Sequence, residues 1–445
     1  MILKMKTALV WDNGLFVSLA VTLTKHFGTV YYFCPWVIGF PTSQLMMIGD
    51  GYPGVRRVLS PWSLLDDIDI FIFPDVFEAD IQEYLVSIGK RVWGCRSGAE
   101  LENDRVKAKE ISEKVGIGIG PYNVVRGMDG LRRYLKSHDD QYVKISLTRG
   151  DFETFHAPSY EQIKSQLDEI AYQLGPRVEN MRFVCEDNTG PAVEIGYDGY
   201  TIDGRFPRKN LLGVEAKDTA YVAKVVNANA AQSVQDVNVK LSPVLEGYEY
   251  RGFFSTEIRC IEDESGSCLI DTCSRMGSPP GELYQMMLKN IGEIIWHGAS
   301  GTLIEPEFAG KWGAEAILTS DAAEKNWVQV SYPDSVQDNI KLRYCTMING
   351  KQYVIPQANG MKFLGAVVAY GGTAKEAIER CREIAEQVEA VDLKTGADAL
   401  DSAYEDLNKL LADARPPTAT SRRANELMAA GRISKRQYDE AIGDD

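Results

Sequence analysis

The length, composition and charge of the chain limit its class before any motif is considered. Its 445 residues, 44% hydrophobic and 25% charged, are enough for roughly two to four packed units of a globular protein. The longest apolar run, around 15–22, is too short to cross a bilayer, and the net charge of −15 argues against general binding to a nucleic-acid backbone. Because the N-terminus leads straight into a strand-like segment without a secretory signal, we expect a cytoplasmic protein.

The cysteines and histidines of the chain show no recognisable metal-binding pattern. The eight cysteines are scattered without a Cys-x-x-Cys pair, and the four histidines lie far apart in the sequence. A zinc site is therefore not expected. Any bound metal should be a hard cation that is held by oxygen atoms.

Strand-like and helix-like segments alternate over residues 6–95 and predict a small parallel sheet. Ligands of such sheets bind beyond the carboxyl ends of the strands, which places Asp12, Asn13, Gly14 and Asp75 in a candidate cleft. The same residue types are as common in ordinary turns and helix caps, so the pattern leaves both interpretations open.

The centre of the chain combines helices with hairpin-rich strands. Helix-like segments at 102–115 and 130–137 precede a strand at 141–147, and closely spaced turns over 182–206 favour an antiparallel sheet. A last strand-containing unit ends in a helix at 373–391. We therefore predict an α/β (α+β) chain with separate parallel and antiparallel sheets.

The tail, residues 395–445, differs in composition from the rest of the chain. Its Ala, Asp and Leu residues recur at helical spacing before a Pro416–Pro417 break. It cannot bury much surface alone, so we expect it to pack on a partner chain or to remain mobile. The stretch NELMAAGRISKRQYDEAI resembles the short C-terminal oligomerisation domain behind many unrelated bacterial and phage proteins, which implies a homo-oligomer.

The stretch 252–282 carries the most informative chemical pattern. Alternation along two strand-like segments places Glu257 on one face of the first, and Asp271 and Arg275 on one face of the second. A hairpin would bring the two carboxylates together beside the arginine, which suits Mg²⁺ bridged to ATP phosphates. An exposed, salt-bridged hairpin is the alternative, and spacing alone favours it.

The same stretch resembles the catalytic end of the ATP-grasp fold, above all in the phosphoribosylamine-glycine ligase (glycinamide ribonucleotide synthetase) family. There a TEIR strand precedes an acidic strand that ends in N-x-R-x-G-D-P-E. The resemblance implies that Glu257 and Asp271 bind Mg²⁺ (or Mn²⁺) and that Arg275 contacts the phosphates or an acyl phosphate. Cys273 replaces a metal-binding asparagine and Ser278 an aspartate, so a weakened second metal site or different substrate chemistry stays open.

Upstream motifs occur in the order of the same family. ENDRVKAKEISEKVGIG resembles the helix before the first ATP-binding strand, with Arg105 where a nucleotide-contacting lysine usually lies. YVKIS resembles the strand whose lysine, here Lys144, reaches the α-phosphate and adenine. A lysine between two apolar residues is costly to bury unless an anion pairs with it, and an edge-strand lysine in water is the alternative.

Three further residues complete the implied ATP site. The family's glycine-rich lid is reduced here to SLTRGDFETF, so Arg149 would supply phosphate contacts that backbone amides supply elsewhere. FVCEDNTGPAVEIGYDGYTIDGRF resembles the hinge and the following hairpins, which implies Glu186 at the ribose hydroxyls and Glu194 near the phosphates. Both glutamates are also ordinary for solvated hairpins.

The resemblance extends to the end of the ligase domains, because FLGAVVAYGGTAKEAIERCREIAEQVEAV is similar to the family's C-terminal domain. It implies the following division: a pre-ATP-grasp α/β domain in 1–100, an ATP-grasp domain of two α+β subdomains in 101–310 with a break near 185, a ligase-type C-terminal domain in 311–394, and a helical tail in 395–445.

The function implied is that of an ATP- and magnesium-dependent ligase that joins a small-molecule carboxylate to an amine through an acyl phosphate. VWDNGLFVSLA lacks the glycines and the arginine of the family's first loop, G-x-G-G-R-E-H, so recognition of phosphoribosylamine and a place in purine biosynthesis stay open. Two alternatives remain: a regulatory protein that binds ATP without catalysis, and a ligase that acts on a nucleotide or modified base.

Overall fold

The computed structural model describes residues 2–35, 47–146, 154–188, 190, 193–227, 231–260, 267–356 and 361–413. Arg149, a predicted phosphate ligand, and the segment 414–445 lie outside the described residues. Among the residues described, no helix is both long and apolar enough to span a bilayer. Short 3-10 helices occur at Ile2–Met5, Trp62–Leu64, Arg96–Ala99, Gly175–Glu179, Asp321–Glu324, Asp334–Asn339 and Gly396–Ala399.

The N-terminal unit is a parallel sheet, as the alternation of strands and helices predicts. Its strands are β1 (Thr7–Trp11), β2 (Thr29–Phe33), β3 (Val55–Arg57), β4 (Ile70–Ile72) and β5 (Val92–Trp93). Helix α1 (Val17–Leu23) follows β1 and α2 (Ala79–Ser87) follows β4. The strands lie in the order β3-β2-β1-β4-β5, and every neighbouring pair is parallel. The segments that follow β1 and β4 therefore emerge side by side at one edge of the sheet.

Burial explains why β1 is apolar on both faces. Ala8 and Val10 pack in the main core of the protein, whereas Leu9 and Trp11 point to the opposite side and pack in a second core. A central strand of a parallel sheet is covered on both faces, so nearly all of its residues are apolar.

A small antiparallel sheet forms the second unit and is reached through α3 (Glu100–Asn103) and α4 (Arg105–Lys114). The single helix predicted over 102–115 is thus two, because Asp104 leaves the helical conformation and its side chain caps α4 by accepting the Lys107 amide at 3.2 Å. The sheet contains β6 (Tyr122–Arg126), β7 (Gln141–Ile145), β8 (Thr154–Ala157) and β9 (Arg182–Asp187), in the order β6-β9-β7-β8.

The second unit has its own apolar core beneath α5 (Met128–Leu135) and α6 (Tyr160–Leu174). Val143 and Ile145 of β7 enter this core. Because side chains alternate along a strand, Lys144 between them points to the other face of the sheet. That face looks into the cavity described below.

A long antiparallel sheet joins the centre of the chain to its C-terminal part. The strands of this region are β10 (Val193–Ile202), β11 (Lys209–Ala216), β12 (Ala220–Asn227), β13 (Arg251–Cys260), β14 (Ser267–Cys273), β15 (Trp312–Ser320), β16 (Val328–Val330), β17 (Ile340–Leu342), β18 (Cys345–Ile348), β19 (Lys351–Val354), β20 (Phe363–Gly371) and β21 (Leu393–Thr395). The order is β14-β13-β10-β11-β12-β15-β20-β17, with β21 on β15, while β16, β19 and β18 form a separate sheet. Because β12 pairs with β15, the sheet runs unbroken across residue 310. The predicted α/β (α+β) class is confirmed.

Helices of the C-terminal half pack on this sheet and on the N-terminal unit. They are α7 (Gln232–Gly247), α8 (Gly281–Met287), α9 (Ile291–Gly298), α10 (Ala374–Ala385) and α11 (Leu400–Asp413). α11 lies within the predicted tail, yet Leu400, Ala403 and Leu407 are buried against β11 and β12 of the same chain. The expectation that the whole tail needs a partner chain or remains mobile is therefore wrong for α11, because its apolar face packs on strands of the same chain.

Candidate active site

A cavity of about 1190 Å³ lies where the N-terminal, small antiparallel and long antiparallel sheets meet. Its wall contains every predicted site residue that the structure describes, namely Arg105, Lys144, Glu186, Glu194, Glu257, Asp271 and Arg275. A second, shallower groove of about 1060 Å³ near Lys311 and Arg380 contains none of them.

The two carboxylates expected to pair across a hairpin do face each other. Glu257 of β13 is in register with Asp271 of β14, and a bulge follows Glu257. Both side chains line the cavity, and Cys273 lies two residues further along β14 in the same wall. Strand pairing thus presents two hard oxygen ligands and one thiol to the same space.

Asp271 is held by two cations. Its Oδ2 lies 2.9 Å from Lys144 Nζ and its Oδ1 lies 3.1 Å from Arg105 Nη1. Burial acts to raise the pKa of Asp271, but Lys144 and Arg105 outweigh it and lower the value to about 2. The carboxylate is therefore charged at any physiological pH.

Lys144 lies at the centre of a buried ion network. Besides Asp271, its Nζ is 3.2 Å from Glu186 Oε2, and Glu186 Oε1 is 2.6 Å from Lys109 Nζ. Burial alone would lower the pKa of Lys144, but the facing carboxylates raise it. With Arg105, the network links three cations and two carboxylates in one wall of the cavity.

Glu257 has the opposite electrostatic environment. Burial raises its pKa to about 7, and the neighbouring carboxylates of Asp271, Glu215 and Glu194 act in the same direction. Lys217, in the turn between β11 and β12, opposes this shift, and Glu257 is in turn the main reason that the pKa of Lys217 is raised. A carboxylate in this setting gains from the arrival of a further cation.

The other predicted residues are paired with neighbours of their own. Glu194 of β10 lies opposite Arg259 of β13, with 3.1 Å between Oε1 and Nε. Arg275 follows the end of β14, and its Nε donates to Glu102 Oε1 at 2.9 Å and lies 3.9 Å from Asp75 Oδ1. Arg275 therefore joins the long sheet to the edge of the N-terminal sheet.

The candidate cleft at the N-terminal sheet is only partly what the sequence predicts. Asn13 and Asp75 line the cavity, but the side chain of Asp12 turns inward and is 2% exposed. Its Oδ2 accepts the backbone amides of Gly14 and Phe16 at 3.0 and 2.8 Å. For Asp12 the turn interpretation is correct, whereas Asp75 lies in the cleft.

Several cavity residues were not identified from the sequence. Glu102 orients Arg275, Lys217 faces Glu257, and Arg343 enters the wall from the segment between β17 and β18. Arg343 is 5% exposed, and its Nε donates to Glu282 Oε1 at 2.6 Å. No local spacing links these residues to the strands they face, so only the fold reveals them.

Magnesium fits the donor atoms of the Glu257–Asp271 pair. Among the described residues, no group of three or more His, Cys, Asp or Glu forms a cage for a metal ion. Magnesium commonly binds through one or two carboxylates and completes its shell with waters and substrate phosphates. The facing carboxylates of Glu257 and Asp271 are donors of that kind.

Comparison with known proteins identifies the fold. No family model matches the chain, and a search of curated proteins finds no match. Among solved structures, the chain is similar to phosphoribosylamine-glycine ligase from Thermotoga maritima, with a TM-score of 0.65 and 16% identity over 87% of this chain and 98% of that one.

Two further solved structures share the architecture. The biotin carboxylase domain of 2-oxoglutarate carboxylase from Hydrogenobacter thermophilus, in complex with MgADP and bicarbonate, gives a TM-score of 0.65 and 12% identity over 97% of this chain and 99% of that one. N5-carboxyaminoimidazole ribonucleotide synthetase from Thermotoga maritima gives a TM-score of 0.56 and 12% identity over 87% of this chain and 100% of that one. At these identities the likeness shows the fold alone: the chain has the ATP-grasp fold, as the resemblance of its motifs implies.

Proposed function

We propose that this chain, which has the ATP-grasp fold, is an ATP- and magnesium-dependent ligase that activates a small-molecule carboxylate as an acyl phosphate and joins it to an amine. The observation that carries this proposal is the pair Glu257–Asp271, which faces a cavity shared with Lys144, Arg105 and Arg275. The names of the similar solved structures, a ligase and a synthetase among them, support the same reaction type.

ATP would bind against the cationic network of α4, β7 and β9. Lys144 and Lys109 hold Glu186 between them, and Arg105 lies on the far side of Asp271. The three clustered cations suit the polyphosphate, and the buried Lys144 can exchange one carboxylate partner for a phosphate oxygen without being left unpaired. Glu186 would then be placed for the ribose hydroxyls, and Glu194 would lie near the phosphates.

Glu257 and Asp271 would hold the magnesium ion. When bound, the ion offsets the negative charge of the phosphate oxygens. Arrival of a divalent cation also favours the ionised form of Glu257, whose pKa burial raises to about 7. The register of β13 and β14 would hold the two carboxylates close enough to share one ion.

Arg275 would orient the reacting groups. Its guanidinium is fixed by Glu102, so it can contact a carboxylate or acyl phosphate with little loss of side-chain freedom. A carboxylate oxygen attacks the γ-phosphorus and ADP leaves; the amine then attacks the acyl carbon, and the C–O bond to phosphate breaks as the C–N bond forms. The chain's contribution is positioning and charge complementarity.

A substrate screen tests this proposal. ADP release is measured with Mg²⁺ and ATP across amino acids, short peptides, other small carboxylates paired with amines, phosphoribosylamine formed in place, and nucleotides. Glu257→Gln is the test variant and Glu161→Gln, at an exposed position on α6, is its control. We expect substrate-dependent ADP release in the wild type and in Glu161→Gln and none in Glu257→Gln. A correctly folded Glu257→Gln with full activity would refute the assignment.

A second candidate function is a regulatory protein that binds ATP without turnover. It is favoured by the two cations that already neutralise Asp271, and by Cys273 in the cavity wall where the family's asparagine would add an oxygen ligand. It predicts that ATP binds with a measurable Kd while no mixture of carboxylate and amine releases ADP.

We also propose that the chain self-associates through residues beyond Asp413. Light scattering of the full chain and of a chain truncated after Asp413 tests this. The proposal predicts an oligomer that becomes a monomer on truncation, and an unchanged mass would refute it.

A further inference from the structure

Arg343 lies in the cavity wall with a guanidinium group that is only partly used. Its side chain is more than nine-tenths buried, and its Nε donates to Glu282 Oε1 at 2.6 Å. Its Nη2 is also buried and has no hydrogen-bond partner among the described residues. Because a buried donor that stays unpaired is costly, an acceptor that enters the cavity would complete the hydrogen bonding of this side chain.

The position of Arg343 is fixed by its neighbours. Glu282, on α8, is itself 1% exposed, and the backbone amide of Arg343 donates to Leu364 O at 3.0 Å. The next amide, that of Tyr344, donates to Gly14 O at 2.6 Å and ties the segment to the loop after β1. A cation that is held in this way loses little freedom when it binds a ligand.

The charges around Arg343 suit a monoanion better than a dianion. Burial acts to lower the pKa of Arg343, but Glu282 and Glu315 outweigh it and raise the value, so the guanidinium stays charged. Burial and Glu282 raise the pKa of Glu315 well above its ordinary value, so Glu315 keeps its proton. With Glu282 already balancing Arg343, a carboxylate adds one negative charge to a buried wall and a phosphate dianion adds two.

A second unused polar group lies in the same wall. Ser278, in the segment between β14 and α8, lines the cavity, and its buried Oγ has no hydrogen-bond partner within the described part of the chain. A hydroxyl and a guanidinium both donate to carboxylates. Phe363, whose ring centroid lies 5.6 Å from Arg343 Cζ, also lines the cavity and offers apolar surface to the rest of a ligand.

We propose that Arg343 binds the carboxylate of an amino acid that serves as the amine substrate. This rests on the proposed ligase function, in which Arg275 contacts the carboxylate that is activated. The two arginines are held separately, Arg275 by Glu102 and Arg343 by Glu282, so the cavity can hold two carboxylates at once. The amino nitrogen attacks the acyl carbon, phosphate leaves, and the product keeps the carboxylate that Arg343 binds.

Titration calorimetry with matched ligands tests this inference. The full chain is titrated, in saturating ADP and Mg²⁺, with each common amino acid, with the amines that lack only the α-carboxylate, and with ethanolamine phosphate. The variants are Arg343→Lys and Arg343→Gln. Arg96→Lys is the matched control, because Arg96 is 2% exposed, pairs with Glu249 and also has a buried nitrogen without a partner among the described residues, but lies outside the cavity wall.

We expect at least one amino acid to bind the wild type and Arg96→Lys, and its amine without the carboxylate to bind at least roughly tenfold more weakly. Arg343→Lys should lose at least roughly tenfold in affinity for the amino acid and none for the amine, a difference that a merely structural role would not produce. Arg343→Gln serves if Arg343→Lys is not folded by circular dichroism.

Four results would overturn the inference. They are no binding of any amino acid, equal affinity for an amino acid and its amine, unchanged affinity in the folded Arg343 variants, and tighter binding of ethanolamine phosphate than of every amino acid. Hydroxamate formed from the bound amino acid itself, after trapping with hydroxylamine, would also overturn it, since the carboxylate would then be the one that is activated.

Failure of the proposed function is seen separately. Absent ADP release in the substrate screen would refute the ligase and leave the binding comparison as it is. ADP release with amines that lack a carboxylate, equal in the wild type and Arg343→Lys, would refute the inference and leave the ligase standing.

Discussion

The two ends of the cavity are built from the same kinds of side chain but differ in how their charges are linked. At the end proposed to bind ATP, here called the nucleotide end, Arg105, Lys109 and Lys144 form one network with Asp271 and Glu186. At the N-terminal end the ion pairs are separate, since Arg275 contacts Glu102 and Asp75 whereas Arg343 pairs with Glu282. We therefore expect a substitution at one end to leave binding at the other end largely unchanged.

The largest effect is expected from Asp271→Asn at the nucleotide end. The change removes a proposed metal ligand but leaves Lys144 and Arg105 facing the cavity, so turnover should fall by at least about 100-fold while ADP still binds. Steady-state kinetics and ADP calorimetry measure the two quantities separately. Asp168→Asn, at an exposed pair with Arg132, is the control. Loss of ADP binding together with turnover would show that the two functions of this end cannot be separated.

Lys144→Met should have the next largest effect and act on both stability and affinity. Lys144 is 3% exposed, and its loss leaves Asp271 with Arg105 and Glu186 with Lys109, so the lost charged hydrogen bonds should cost about 1.5 to 3 kcal/mol of unfolding free energy. ADP affinity should fall by at least about tenfold. Urea denaturation and calorimetry test this against Lys164→Met on the surface of α6. An unchanged unfolding midpoint would contradict the buried network.

Alternation and motif order predict the pairing of Glu257 with Asp271 and the buried position of Lys144, because the information is local. Glu257 and Asp271 lie on adjacent strands joined by a short connection, and Lys144 is the polar residue in an apolar strand. The small parallel sheet is predicted for the same reason. Arg149 stays a prediction, since it lies outside the described residues.

The N-terminal end could not be predicted in the same way, because its contacts join distant parts of the chain. Glu102 and Arg275 are separated by 173 positions, and Arg343 reaches the cavity from beyond β17. The inward turn of Asp12 depends on the Tyr32 hydroxyl from the next strand, which no helical or strand period reveals. Only tertiary packing decides whether such a residue is a ligand or a turn residue.

Asp198→Asn probes a buried carboxylate of β10 in the cavity wall. Burial raises the pKa of Asp198 to about 7, from an ordinary value of 3.8. Between these values the folded state keeps a proton that the unfolded state has lost, so stability falls as the pH rises and levels off above 7. Asp198→Asn should flatten this slope by up to about 1.4 kcal/mol per pH unit. Urea denaturation at several pH values, with the exposed Asp236→Asn as control, tests it; an unaltered slope would count against it.

The smallest effect is expected from Tyr32→Phe at the N-terminal end. The substitution removes one of three donors to Asp12 and should cost about 1 kcal/mol of unfolding free energy. ADP affinity should not change, because Tyr32 belongs to the other end of the cavity. Tyr172→Phe, at a side chain that is 88% exposed, controls for the loss of a hydroxyl. A change in ADP affinity would show that the two ends are coupled.

Trapping of the acyl phosphate tests the central claim most directly, since it needs no knowledge of the amine. The full chain is incubated with Mg²⁺, ATP, hydroxylamine and a panel of carboxylates, and hydroxamate is measured by its iron(III) complex. The account predicts ATP-dependent hydroxamate from at least one carboxylate and none in Glu257→Gln. ATP binding without hydroxamate from any carboxylate would contradict the ligase and favour the regulatory protein.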